Sequence, residues 1–171
     1  RADEMITYLE RRADLTNVTA PTLTFRHWYQ IEEDWDYGYV RVSKDGGNSY
    51  EFVNTTDCGG RATNANGNNR AVTESGGITG TSDGWQTCTL DLTPYAGGPV
   101  LIRFEYDTDQ AVTEPGWVVD NVKLTDGDNR IWRTTKFEKA TRAWEFGGDG
   151  LLKWMRIKPM AKNKPLYQVV T

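Results

Sequence analysis

TLTFRHWYQIEEDWDYGYVRVSKDGG, residues 22–47, holds two strand-forming runs separated by four carboxylates, Glu32, Glu33, Asp34 and Asp36. In the first run Leu23, Phe25, His27, Tyr29 and Ile31 share one parity, and Thr22, Thr24, Arg26, Trp28 and Gln30 the other. In the second, Gly38, Val40 and Val42 alternate with Tyr37, Tyr39 and Arg41. Alternation of this kind, rich in β-branched and aromatic residues, predicts strands buried on one face. Asp36 shares the parity of Val40 and Val42, so it points toward the core end of its strand. A buried carboxylate needs a cation, because an unpaired charge away from water costs several kcal/mol.

Working outward, many short alternating runs are broken by Gly and Pro turns. Residues 5–11 read as a strand, followed by a turn at Asp14–Asn17. Asp45-Gly46-Gly47 forms a turn before a short strand at Tyr50–Val53. Residues 54–84 are polar and rich in Gly and Asn, too long for an ordinary connection, which marks a functional or mobile loop. Alternation resumes at Thr87–Leu92, again at Val100, Ile102, Phe104 and Tyr106, and in WVVDNVKL. There Val118, Asp120, Val122 and Leu124 share a parity, which places a second carboxylate toward the core. This pattern predicts an all-β, antiparallel β-sandwich of jelly-roll type. The sandwich is expected over residues 1–128, with a C-terminal extension over 129–171.

Composition narrows the function. At 171 residues the chain is long enough for a real core, and its aromatic content of 12% accompanies a mean hydropathy of −0.66. No apolar run reaches the roughly 18–20 residues of a membrane helix. The opening lacks an initiator Met and a signal-peptide pattern, which reads as a mature or excised chain. Residues 1–129 carry 10 Lys+Arg against 21 Asp+Glu, and residues 130–171 carry 10 against 3. The basic extension has its charges dispersed among Trp, Phe, Leu and Ile, which speaks for docking on an acidic body, its own or a neighbour's, rather than for nucleic-acid binding. In it Phe137, Ala140 and Trp144 have helical spacing, ended by Gly147 and Gly148, and Tyr167–Val170 reads as a final strand. Two cysteines cannot make a four-ligand zinc site. Cys58 and Cys88 are expected to form a disulfide, worth roughly 3–4 kcal/mol in the chain-entropy model; two buried free thiols are the alternative. Asn17 and Asn54 head N-x-T sequons, candidate N-glycosylation sites of a secreted glycoprotein.

The segments LTFRHWYQIEEDWDYGYVRVSKDGG, GITGTSDGWQTCTLDLTPYAGGPVLIRFEYDTD and GWVVDNVKL, in this order, resemble the MAM-like jelly-roll module of immune inhibitor A-type secreted metallopeptidases and related surface adhesin jelly rolls. The HExxHxxGxxH zinc motif of those peptidases is missing, as are nucleophile-elbow, Walker and dinucleotide motifs. The chain is therefore read as non-catalytic. The resemblance implies a structural calcium ion where the early turn meets the late Asp-bearing strand, with Glu32, Glu33, Asp34, Asp36 and Asp120 as candidate ligands and Asp109 as a further one. Calcium takes about six to eight oxygens at about 2.3–2.6 Å, which suits several carboxylates and carbonyls. The competing reading pairs Asp36 and Asp120 with Arg26, Arg103 or His27; His27 itself reads as a satisfied core-edge residue.

Three roles follow. The first is a calcium-stabilised extracellular module for adhesion or substrate positioning, expected to self-associate because body and tail carry opposite charge. A second is a subunit of a homopolymeric filament, tube or layer, held by exchange of a terminal strand, Tyr167–Val170 or the one near Met5–Arg11. The third is a carbohydrate-binding accessory module, with Trp28, Trp35, Tyr37 and Tyr39 as a stacking platform; packing under the tail is the alternative for these rings.

Overall fold

The computed structural model describes residues 5–71, 75–132, 135 and 143–148. Its strands are β1 (Ile6–Asp14), β2 (Pro21–Gln30), β3 (Tyr37–Ser43), β4 (Glu51–Phe52), β5 (Gly60–Arg61), β6 (Gly77–Ile78), β7 (Gln86–Asp91), β8 (Pro99–Asp107), β9 (Gly116–Asp126), β10 (Asn129–Arg130) and β11 (Glu145–Gly148). They form two antiparallel sheets, ordered β11-β1-β8-β3-β6-β5 with β4 also on β3, and β10-β9-β2-β7. This is the two-sheet jelly-roll sandwich, with no α-helix among the described residues. β1 begins where the alternation predicts it, runs on to Asp14 and lies between β8 and β11. Trp132 and Trp144 are both buried in the core, 5.5 Å apart edge to face, with the Arg11 guanidinium 4.4 Å from the Trp132 ring. Residues 145–148 are strand rather than the end of a helix. Tyr167–Val170 lies outside the described residues.

The alternation of β2 translates directly into burial: Leu23, Phe25, His27 and Tyr29 face inward, Thr24, Arg26 and Trp28 outward. In β9 the parity reading needs correction. Leu23 pairs with Leu124 and Thr24 with Lys123, yet Arg26 pairs with Asp120, so Asn121 and Val122 share the place opposite Phe25. Asn121 takes a left-handed backbone, φ 52°. This bulge flips the face of everything before it. Trp117 and Val119 are buried with Val122 and Leu124, while Val118 and Asp120 are half-buried on the outer side with Arg26.

Gly38 sits where this inward turn brings Trp117 against β3. A Cβ there would stand 2.7 Å from the indole ring. Gly38→Ala is expected to cost about 1–3 kcal/mol by overpacking, read from urea unfolding. A loss under about 0.5 kcal/mol, the range of inert surface changes, would show that the ring yields freely.

His27 lies wholly inside, a correction to the core-edge reading, packed on Phe25, Tyr29 and Trp117. Its Nδ1 accepts from Trp117 Nε1–H at 3.3 Å, so the neutral ring carries its proton on Nε2, which has no partner among the described residues. Burial holds the imidazole down to about 4. Below its ordinary value of 6.5 the unfolded chain binds a proton that the folded chain refuses, so stability falls with pH until about 4. Between pH 7 and 5 the loss from this group is about 2 kcal/mol. His27→Phe should flatten the stability profile by that amount, and an unchanged slope would refute the assignment.

The described part of the polar excursion, residues 54–71 and 75–84, covers the outer face of β3. A disulfide, Cys58–Cys88, fastens it to β7, as expected. Tyr37 and Tyr39 stack on each other, 6.0 Å apart, beneath it. At Gly77 any Cβ would meet both rings, at 2.6 and 2.8 Å. The Tyr39 hydroxyl accepts from Arg70 N–H at 2.9 Å, and Ala71 completes the small cluster. These two tyrosines are therefore buried, neither an exposed sugar platform nor packed under the described tail residues. Trp35 alone of the four proposed rings is well exposed, at 42%; Trp28 is half-buried on the outer face of β2.

Candidate metal centre

Antiparallel pairing of β3 with β8 sets Tyr37 opposite Asp107. The turn entering β3 therefore meets the loop leaving β8, and both segments are rich in Asp and Glu. The turn is tightly rolled. The Glu32 carbonyl accepts from the N–H groups of Trp35 and Asp36 and from the Thr79 hydroxyl, and Asp34, at φ 63°, donates its N–H to Thr79 Oγ1 at 3.0 Å. This geometry turns Asp36 inward, leaving it 2% exposed.

Asp36 Oδ1 accepts from Asp109 N–H at 2.8 Å, and Oδ2 from the Tyr106 hydroxyl at 3.1 Å. One carboxylate oxygen from each of Glu32, Asp36 and Asp109 lies within 4.8 Å of the other two. Among the described residues no Lys or Arg forms an ion pair with any of the three. Glu32 Oε2 is buried and without a hydrogen-bond partner there. Burial, reinforced by the charges of Asp109 and Glu32, pushes the Asp36 carboxyl up to about 6 against its two hydrogen bonds. Glu32 is also raised, by desolvation first and then by Asp109 and Glu114. Three crowded carboxylates with an orphaned buried oxygen suit a hard, oxygen-seeking divalent cation such as calcium.

The other candidate ligands go elsewhere. Glu33 is ion-paired with Arg61, and Asp34 Oδ1 accepts from the Thr63 hydroxyl at 2.6 Å. Asp120 stands across from Arg26 on the outer side of the second sheet, outside the trio. Of the competing partners for Asp36, Arg103 is engaged by Glu10 and Glu105, and His27 by Trp117. Tyr106 and the Asp109 amide escape a reading of acidic residues alone, although Tyr106 shares the core parity of Phe104 and opens the YDTD segment. Asn17 and Asn54 are both exposed; Asn54 Oδ1 accepts from Thr56 N–H and Oγ1 at 2.9 and 2.7 Å.

The family described as "Immune inhibitor A-like, MAM domain" matches residues 1–150, and the matched unit is a non-catalytic domain. Bacillopeptidase F of Bacillus subtilis is 27% identical over 104 residues, covering 61% of this chain and 6% of that protein. Pre-pro-metalloprotease PrtV of Vibrio cholerae is 29% identical over 132 residues, covering 77% and 13%. Immune inhibitor A of Bacillus thuringiensis subsp. alesti is 30% identical over 127 residues, covering 73% and 16%. The chain thus spans between 6% and 16% of the lengths of these relatives.

Proposed function

This chain belongs to the immune inhibitor A-like MAM domain family, and we propose that it is an extracellular accessory module of a secreted peptidase, adhesive or substrate-positioning, whose sandwich is fastened by one calcium ion. The observation that carries this reading is the trio Glu32, Asp36 and Asp109, crowded within 4.8 Å. Its ligands come from the turn before β3 and the loop after β8, so a bound ion ties the two segments together and offsets the repulsion between them. The Cys58–Cys88 disulfide fits an oxidising compartment, which supports the extracellular placement, and two of the named relatives are peptidases by name, which supports the association with a peptidase.

Self-association draws less support. The described part of the extension folds onto its own body through β11 and the two buried tryptophans, and both edges of β1 are taken. Strand exchange through residues 160–171 concerns residues outside those described. A glycan platform retains Trp35 as its exposed ring. The test of the main reading is thermal unfolding in calcium and in chelator. At a calcium concentration of about 100 Kd the ion adds about 2.7 kcal/mol, a rise of roughly 5–11 °C for a domain of this size. Superimposable melts would reject it.

A further inference from the structure

Residues 61–67 are all exposed, the longest such run among the described residues, and they lie between Cys58 and Cys88. The next longest, residues 44–49, is braced by Asp45, whose carboxylate accepts from Ser43 Oγ, Ser49 N–H and Ser49 Oγ. The tip of the 61–67 run is held differently. Its base is clamped by the Gly60–Ile78 and Arg61–Gly77 pairs and by Asn69, whose amide donates to the Arg61 and Thr63 carbonyls. The tip itself is a turn in which Gly67 N–H donates to the Asn64 carbonyl at 3.2 Å, Asn64 Oδ1 accepts from Asn69 N–H at 2.8 Å and the Asn66 side-chain amide donates to the Asp34 carbonyl at 3.4 Å, while the backbone groups of Ala65 and Asn66 make no hydrogen bond among the described residues. An endopeptidase binds its substrate as an extended strand, so it requires accessible residues with free amides and carbonyls.

Cutting here divides the fold in an unusual way. β1 to β5 fall on the first fragment, β6 to β11 on the second. In one sheet β8 of the second fragment lies between β1 and β3 of the first; in the other, β2 of the first lies between β9 and β7 of the second. Among the described strands only the short β3–β4 and β9–β10 pairings stay within one fragment, and each fragment carries one cysteine of the disulfide.

We infer that residues 64–67 are a processing site for a broad-specificity endopeptidase, and that cleavage there yields a disulfide-linked two-chain module with both sheets intact. The reaction adds one water across a peptide bond and leaves a carboxylate and an ammonium at the surface. The site suits an enzyme that accepts small polar residues, since it offers Asn64, Ala65, Asn66 and Gly67. An arginine-directed enzyme is disfavoured: Arg61 is strand-paired and bound to Glu33, and Arg70 is bound to Glu105 and Asp107 beside buried Asn69 and Ala71. This inference does not depend on the cation.

The test is brief subtilisin digestion of the folded full chain, mapped by mass spectrometry and scored between residues 5 and 132. The first cut there is expected within 64–67. The product should run as one band without reductant and two with it, and keep its near-UV circular dichroism. Asn66→Pro, which fixes φ and removes a donor at the tip, should slow that cut about tenfold or more. A first cut elsewhere in the scored range, no cut at 64–67, an unaffected rate in the proline variant, or a nicked product that loses its near-UV signal would each overturn the proposal.

Discussion

Glu105→Ala is expected to destabilise the module by about 3–5 kcal/mol, a large share of a domain stability of roughly 5–15 kcal/mol. Glu105 is 1% exposed on the outward parity of β8, where a carboxylate is tolerated because three guanidinium groups surround it. Arg41 Nη1 donates at 2.9 Å, Arg70 Nη2 at 2.6 Å, and Arg103 Nη1 stands at 3.5 Å. Arg103 is itself held between the rings of Tyr8 and Tyr50, at 3.7 and 3.8 Å, and bonded to Glu10. Removing Glu105 leaves Arg103 with Glu10 and Arg70 with Asp107, whereas among the described residues Arg41 loses its carboxylate ion pair and keeps the Tyr50 carbonyl and the faces of Phe52 and Tyr50, at 4.5 and 5.4 Å. The cost is that of an uncompensated, largely buried cation rather than the worth of one contact. Glu105→Gln keeps volume and an acceptor, so it should lose less. An unfolding free energy from urea titration within about 1 kcal/mol of wild type for the alanine variant would mean that water reaches this network freely.

Asp36→Asn is expected to separate cation binding from folding. In the cation-free fold Asp36 keeps its proton up to about pH 6 beside Glu32 and Asp109, while the unfolded chain gives it up near 4, so this group's contribution to stability is lost as pH rises from about 4 to 6. An asparagine keeps the shape and the Asp109 N–H bond, and its amide can donate to the Tyr106 oxygen, without the charge. The variant should therefore melt at or above the wild-type temperature in chelator at pH 7. It should gain nothing from calcium, because the most buried of the three ligands has lost its charge. A variant that still gains several degrees in calcium would move the ion away from this trio.

The alternation of β2, β3 and β8 was legible because each strand buries one clear parity. WVVDNV was not, since it is apolar on both parities, and only a left-handed residue at Asn121 lets Trp117 and Val119 face inward with Val122 and Leu124. Asn tolerates that conformation, so the signal was present but local. Tyr37 and Tyr39 misled for a related reason. β3 is apolar on both faces, and the cover on its outer face is a distant, polar-looking excursion anchored by Cys58–Cys88. Asp36 and Asp109 meet through the register of β3 on β8, which no local pattern encodes; Asp120, assigned to the same face by parity, is carried off by the bulge. The arginine network around Glu105 draws on three segments far apart in sequence, and charged residues at outward positions look like ordinary surface until those segments are superposed.

The most direct measurement is a calorimetric titration of calcium into the cation-free chain at pH 7, run beside Asp36→Asn. The predicted result is a single saturable site in the wild type and none in the variant. Absence of binding to the wild type, or equal binding to both proteins, would contradict the assignment of Glu32, Asp36 and Asp109 as the cation site.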